Sequence, residues 1–222
     1  MVALMKYIFI LTLLLTSITF AIDFDETLKL AKEGDANAQF KLGDYYVKGT
    51  EVPENYEKAF MWLMKSAKQG NAYAQNNLGV LYQKTEFVKK NSEKAFKWYM
   101  KSAQQGFVIA QTNLAFMYLK GNGVPENYNE AFKWFMISAQ QGDEDAQNSL
   151  GVMYSEGMGV PENYILSYVW YSMAKTSGNK LAVDNIEIVK EKMTKQQIAE
   201  GQARAAKCFE SNFKDCDKFL VK

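Results

Sequence analysis

Apolar and small residues recur along this chain at intervals of three and four, and the whole pattern then returns every 36 residues. In one unit Ala38, Leu42 and Tyr46 are spaced by four, and Ala59, Trp62, Leu63 and Ser66 fall at i, i+3, i+4 and i+7. Both spacings gather their members on one face of an α-helix, so each unit predicts two amphipathic helices. The first stripe returns as Ala74, Leu78, Tyr82, as Ala110, Leu114, Tyr118 and as Ala146, Leu150, Tyr154. The second returns as Ala95, Trp98, Tyr99, Ser102 and as Ala131, Trp134, Phe135, Ser138, with Trp170 completing the tryptophan column. Gln39, Gln75, Gln111 and Gln147 keep the same register without insertion or deletion. A fixed period of this kind predicts an all-α fold, a right-handed α/α superhelical solenoid of four 36-residue helix pairs at 34–69, 70–105, 106–141 and 142–177.

The ends of the stack are atypical, as solenoid ends must be. Residues 22–33 align with the second half of a unit, with Glu26 in the tryptophan column, and form an N-terminal capping half-repeat. After Gly178 a fifth first helix keeps Ala182 and Ile186 in register but carries Glu187 and Lys190 where glycine and tyrosine belong. Thr194 and Gln197 then spell a capping box ahead of a last amphipathic helix through Ile198, Ala205 and Cys208, so 179–222 closes the stack. Gly43, Gly79 and Gly151 recur inside the first helices, where glycine costs about 1 kcal/mol relative to alanine. Close approach of a neighbouring helix offsets that cost, and Ala115 in the same column shows that one methyl fits. The turns GTEVPENY, GNGVPENY and GMGVPENY start at Gly49, Gly121 and Gly157, glycine ending one helix and proline directing the chain into the next. They lack the lysine and preceding strand of a phosphate loop. The second unit departs with Thr85, Phe87, Lys89 and Lys90, which is either the weakest turn or a surface bump that meets a partner.

Composition narrows the function classes. Met1–Ala21 has one positive residue, Lys6, then an uncharged apolar run ending in small residues, the pattern of a signal peptide at 1–21. The run is shorter than the roughly 20 apolar residues that span a bilayer. Export to the periplasm or beyond is therefore expected, as a monomer without stable membrane association once the leader is removed. Removing Lys6 from 26 basic residues leaves a balance with 25 acidic ones, so neither nucleic acid nor an anionic membrane finds a basic footprint.

No histidine is present, so an acid or base would have to be a carboxylate, lysine or tyrosine. Ser66 and Ser102 follow lysines, but their column lies on the packing stripe, which makes them small core residues. No catalytic residue, metal site or cofactor is expected, and the four tryptophans are expected to pack rather than to form a ligand platform. Cys208 and Cys216 are the only cysteines. Along an unbroken helix they would stand about 12 Å apart, against roughly 5.5 Å between bridged α-carbons, so a disulfide requires the helix to end between them. Closing that loop would add on the order of 2.6 kcal/mol.

The segments AQNSLGVMYSEGMGVPENY and AFKWFMISAQQG resemble the Sel1-like repeat family, relatives of tetratricopeptide repeats with a slightly longer period. The resemblance covers residues 34–178. It implies an α/α superhelix acting as an adaptor or scaffold, often exported by bacteria. One branch, cysteine-rich and associated with penicillin-like ligands, suggests an alternative as a peptidoglycan-ligand-binding or hydrolytic protein. That branch carries a cysteine pair in every repeat, and here no repeat contains one. The first helices of stacked pairs line a concave groove. Two of their columns predict its lining, Lys41, Asn77, Asn113, Ser149 as a polar track and Asp44, Val80, Phe116, Val152 as a more apolar one. The asparagines either hydrogen-bond a bound peptide or brace the adjacent unit. The expected partner is a protein or peptide of the cell envelope.

Overall fold

Short polar residues placed just ahead of most of the amphipathic stripes decide where those helices begin. The computed structural model describes residues 24–84 and 91–210, and their regular structure is helical throughout. The expected leader, the divergent loop and Cys216 lie outside the described residues. The helices are α1 (24–33), α2 (Ala36–Lys48), α3 (Tyr56–Lys68), α4 (Ala72–Lys84), α5 (Ser92–Gln104), α6 (Val108–Lys120), α7 (Tyr128–Gln140), α8 (Glu144–Glu156), α9 (Tyr164–Ser177), α10 (Leu181–Glu191) and α11 (Lys195–Glu210). Asp35, Asn71 and Asp143 accept the backbone N–H of Ala38, Ala74 and Ala146 at 2.7, 2.9 and 2.8 Å, each satisfying a donor that the first turn leaves open. Phe107 holds the equivalent place before α6 and provides no side-chain cap.

The turn between the helices of a pair is closed by its asparagine. Asn55, Asn127 and Asn163 cap α3, α7 and α9 through Oδ1, at 2.9, 3.0 and 3.0 Å from the N–H groups of Lys58, Glu130 and Leu166. Their own N–H groups donate back to the carbonyls of Tyr46, Tyr118 and Tyr154. One residue thus ends the excursion and starts the next helix, at about 1 kcal/mol per cap. Gly49, Gly121 and Gly157 adopt the left-handed conformation that stops the first helix, with φ of 65°, 61° and 66°.

By its contacts the chain divides into two compact units, Met1–Asn91 and Ser92–Lys222. In the first, α3 packs on both α2 and α4. The buried Gln39 donates from Nε2 to the carbonyl of Ala31 in α1 at 3.1 Å and accepts at Oε1 from Gln69, at the end of α3, at 2.8 Å. Gln75 makes the same bond to Ala67 at 3.1 Å. Ser66 is buried, as its place on the packing stripe predicts, and donates to the carbonyl of Ala36 at 2.6 Å. A Cβ on Gly43 would stand 2.7 Å from Leu63 Cγ, so the helix-interior glycine is what lets α2 and α3 approach. Phe60 of α3 meets Tyr82 of α4 edge-on, with centroids 5.6 Å apart, a pairing worth about 0.5–1.5 kcal/mol beyond its buried area.

The second unit repeats these joints. Gln111 donates to Ala103 at 3.3 Å and accepts from Gln141 at 2.7 Å, and Gln147 donates to Ala139 at 3.1 Å. Phe96 with Tyr118 and Phe132 with Tyr154 form the edge-on pairs, at 5.3 and 5.6 Å. Gly151 lies against the Tyr171 ring, while the fully buried Ala115 shares a core cluster with Phe135. The tryptophan column is less uniform than its spacing suggests: Trp62 and Trp170 are buried, whereas Trp98 and Trp134 are only half-buried. Lys65 and Lys101 lie over the rings of Trp62 and Trp98, their centroids 4.5 and 4.6 Å from Nζ.

At the C-terminal end α10 and α11 both pack on α9. Ala182, Ile186 and Val189 are the buried face of α10, and Glu187 pairs with Lys190 on its outside. The capping box forms as expected, Thr194 N–H donating to Gln197 Oε1 at 2.8 Å and Gln197 N–H to Thr194 Oγ1 at 3.2 Å. In α11, Gly201 faces Tyr168, and Ala205 and Cys208 are buried in the cluster of Leu150 and Trp170. Gln147 Oε1 is buried without a hydrogen-bond partner among the described residues. The residue 30 positions on, a glutamine in the pairs 39/69 and 111/141, is here Ser177. Ser177→Gln is therefore expected to restore the missing bond. A gain of about 1 kcal/mol, or roughly 2–4 °C in Tm, should appear in thermal denaturation, and an unchanged or lower Tm contradicts it.

Candidate binding face of the first helices

The expected groove residues fall in both units, and each unit handles them differently. In the first, Lys41 is exposed with Nζ 5.6 Å from the Tyr45 ring centroid, and Asp44 pairs with Lys48 at 2.7 Å. Asn77 Oδ1 accepts from Asn76 Nδ2 at 3.3 Å, and Val80 is half-buried. These four are accounted for by local contacts on their own helices or by partial burial.

In the second unit three of the four expected residues come together. Phe116 of α6 and Ser149 and Val152 of α8 line one cleft of about 310 Å³, with Leu119, Met153, Met158, Leu181, Asp145 and Asn148. Asn113 is half-buried on α6 and is not among the residues lining this cleft. Phe116 is held from behind by Phe135, edge-on at 5.0 Å, and Lys120 lies over its ring with Nζ 5.6 Å from the centroid. Ser149 donates to the carbonyl of Asp145 at 2.7 Å, which leaves its oxygen facing outward only as an acceptor. A second cleft of about 260 Å³ adjoins across Val152 and is lined by residues of α8, α9 and α10, among them Tyr171, Ile188, Glu156 and Lys192. Burial raises the Tyr171 hydroxyl above the usual tyrosine range, while hydrogen bonds from Ser155 and Ser167 oppose that shift. Glu156 and Lys192 form a loose ion pair at 3.8 Å at its mouth.

Bracing by asparagines is present twice in the column of the first-helix caps, at Asn71 and Asn179, and once in the expected polar column, where Asn185 follows Ser149 by 36 residues. Asn71 donates to Asn37 at 3.0 Å, Asn179 to Asp145 Oδ1 at 2.9 Å, and Asn185 to Asn148 at 2.9 Å, each bond linking first helices or their caps in successive pairs. Leu181 and Asp145 were not among the expected groove residues. Their column reads Asn37, Tyr73, Ile109, Asp145, Leu181, and it is variable and open to solvent, with Tyr73 at 53%, Ile109 at 54% and Leu181 at 66% exposure. Apolar residues at a variable first-helix position, outside the packing stripe, are the sequence signal that identifies it.

Ser66 and Ser138 are committed to backbone carbonyls, at 2.6 and 3.3 Å. Among the described residues no three of histidine, cysteine, aspartate and glutamate come together as a metal site. Cys208 is buried in α11 and its expected disulfide partner, Cys216, lies outside the described residues. No described helix is long and apolar enough to cross a membrane.

Asp143, at the start of α8, is the acid whose state matters most here. Burial raises its carboxyl above the ordinary aspartate range, and the Ala146 N–H and Thr112 hydroxyl oppose that shift by holding the charged form. A raised folded-state pKa contributes stability that is complete below the unfolded pKa and lost as pH rises through the folded one. An asparagine in its place would cap equally well without the charge. In melting curves taken against pH, Asp143→Asn is expected to have the higher Tm at neutral pH, with the gap closing below the ordinary carboxylate range. A gap that does not vary with pH contradicts this.

A family model described as Sel1 repeat matches residues 36–71, 72–107, 108–143 and 144–179. Among solved structures the chain is similar to a protective antigen present in uropathogenic Escherichia coli strains and displaying an SLR fold, at 32% identity and a TM-score of 0.78 over 90% of this chain and 43% of that one. It is also similar to a Sel1 repeat protein from Oxalobacter formigenes, at 33% identity and a TM-score of 0.70 over 74% of this chain and 66% of that one. The chain thus spans less than half of the first relative's length and just under two thirds of the second's. No curated protein matches it.

Proposed function

The chain belongs to the Sel1 repeat family, and we propose that it is an exported, non-enzymatic module that captures a protein or peptide partner on the open face of its first helices. Sel1 repeat proteins are generally protein-interaction scaffolds. The observation that carries the reading is the set of apolar side chains left outside the packing stripes of the second unit. Phe116, Val152 and Leu181 border one cleft and Ile188 the next, with Leu181 and Ile188 exposed at 66% and 56%. Removing such side chains from water against a partner favours association, and the ordering and association costs of binding offset part of that gain. Export rests on the charge and apolar pattern of Met1–Ala21, and an exported chain meets its partner in the periplasm or outside the cell.

The test is capture from an envelope extract by the mature chain and by Leu181→Ser and Ile188→Ser, two substitutions at exposed positions. The proposal expects a defined partner retained by the parent chain and lost by at least one variant, with melting unchanged in both. Mass spectrometry of the protein from its native host should find Ile22 leading. Equal capture by all three chains contradicts the binding face, and an intact Met1 on a membrane-bound product contradicts export.

A further inference from the structure

The larger cleft of the second unit has a charge order as well as an apolar floor. At the end formed by the start of α8, Asp145 is the one ionised residue among those lining it. Its Oδ1 accepts from Asn179, and among the described residues it has no ion-pair partner. Glu144 and Asp184 are exposed near the starts of α8 and α10, where they outnumber Lys180. At the other end, Lys120 closes α6 beside Phe116 and is likewise without a carboxylate among the described residues. The neighbouring cation, Lys192, is already matched by Glu156. Between the two ends the floor is Phe116, Leu119, Val152, Met153, Met158 and Leu181.

The geometry points to a short extended peptide segment as the occupant, with a basic residue at the Asp145 end, a large aliphatic side chain over the Val152 floor and an acidic residue at the Lys120 end. This rests on the first-helix face being the binding face. The dimensions agree. Lys120 and Glu156 occupy equivalent repeat positions, so along the helix axes the two ends are offset by roughly 16 Å, the rise of the eleven residues from Asp145 to Glu156 at ~1.5 Å each, and the spacing between α6 and α8 adds to that. In an extended chain residues i, i+2 and i+4 share one face and span roughly 13 Å, and lysine and glutamate side chains cover the difference. The cleft volume of about 310 Å³ is of the size that holds small-molecule ligands, ample for one aliphatic side chain with its backbone. The charge order is fixed by the cleft and is satisfied by either chain direction.

The experiment uses fluorescein-labelled Gly-Ser-Lys-Ser-Leu-Ser-Glu-Ser-Gly, with three controls in which leucine becomes serine, lysine becomes glutamate, or glutamate becomes lysine. Fluorescence polarisation is read against the mature chain and its Leu181→Ser, Asp145→Asn and Asp145→Lys variants. The parent chain is expected to bind the first peptide at least tenfold more tightly than any control. Leu181→Ser should lose that preference without a change in melting, Asp145→Asn should weaken it, and Asp145→Lys, at some cost in melting because the Asn179 bond is lost, should shift it to the peptide with glutamate in place of lysine. Binding that ignores the leucine, the charge order or Leu181→Ser overturns the proposal, as does no binding of any peptide. If the captured envelope partner is still lost by Leu181→Ser in that case, the scaffold reading stands and only the ligand chemistry falls.

Discussion

A buried amide, the glutamine near the start of each first helix, is the contact on which the stacking of these helices depends. Its Nε2 satisfies a carbonyl at the end of the preceding second helix, where the last carbonyls of a helix have no intrahelical partner. In the pairs 39/69 and 111/141 its Oε1 also takes the side-chain amide that ends its own second helix. Three helices therefore meet at one side chain, and the register of each against the others is fixed by direction as well as by volume. Apolar stripes alone would tolerate sliding, since burial is not directional. A buried amide with one bond missing costs about 1–3 kcal/mol, so misregister is penalised at every joint.

The other recurrent features gain their meaning from that register. The edge-on phenylalanine and tyrosine rings close the joint between pairs at its far end, and the helix-interior glycine lets the two helices within a pair approach closely. With packing supplied by these columns, the outward positions of the first helices are free to vary. Positions 37, 41, 44 and 48 and their equivalents carry charge, amides, aliphatics and aromatics from one repeat to the next. A scaffold whose stability resides in invariant columns can present a different surface on every repeat.

Period, helix pairs, close-packing glycines and the terminal capping box were legible in the sequence because each is a spacing effect that one helix displays by itself. The roles of Gln39 and of Asn55 were not, since both depend on which carbonyl a neighbouring segment brings near, and spacing reports a residue's face without its partner. The tryptophans show the same limit: one column holds the buried Trp170 and the half-buried Trp134, because burial at the edge of a stripe depends on what the next helix presents. Of the candidate face, Phe116, Ser149 and Val152 were legible as variable first-helix positions. Leu181 was not, because Glu187 and Lys190 break the stacking columns of the fifth first helix and mark the end of the stack, whereas α10 lends that side chain to a cleft along α8.

The paired glutamines hold the register. A double-mutant cycle on Gln39 and Gln69, using Gln39→Leu, Gln69→Ala and the double variant in urea denaturation, measures that pair directly. A favourable coupling of about 1 kcal/mol, with the two single losses summing to more than the loss in the double variant, is the predicted result. Additive losses, with coupling indistinguishable from zero, would contradict it.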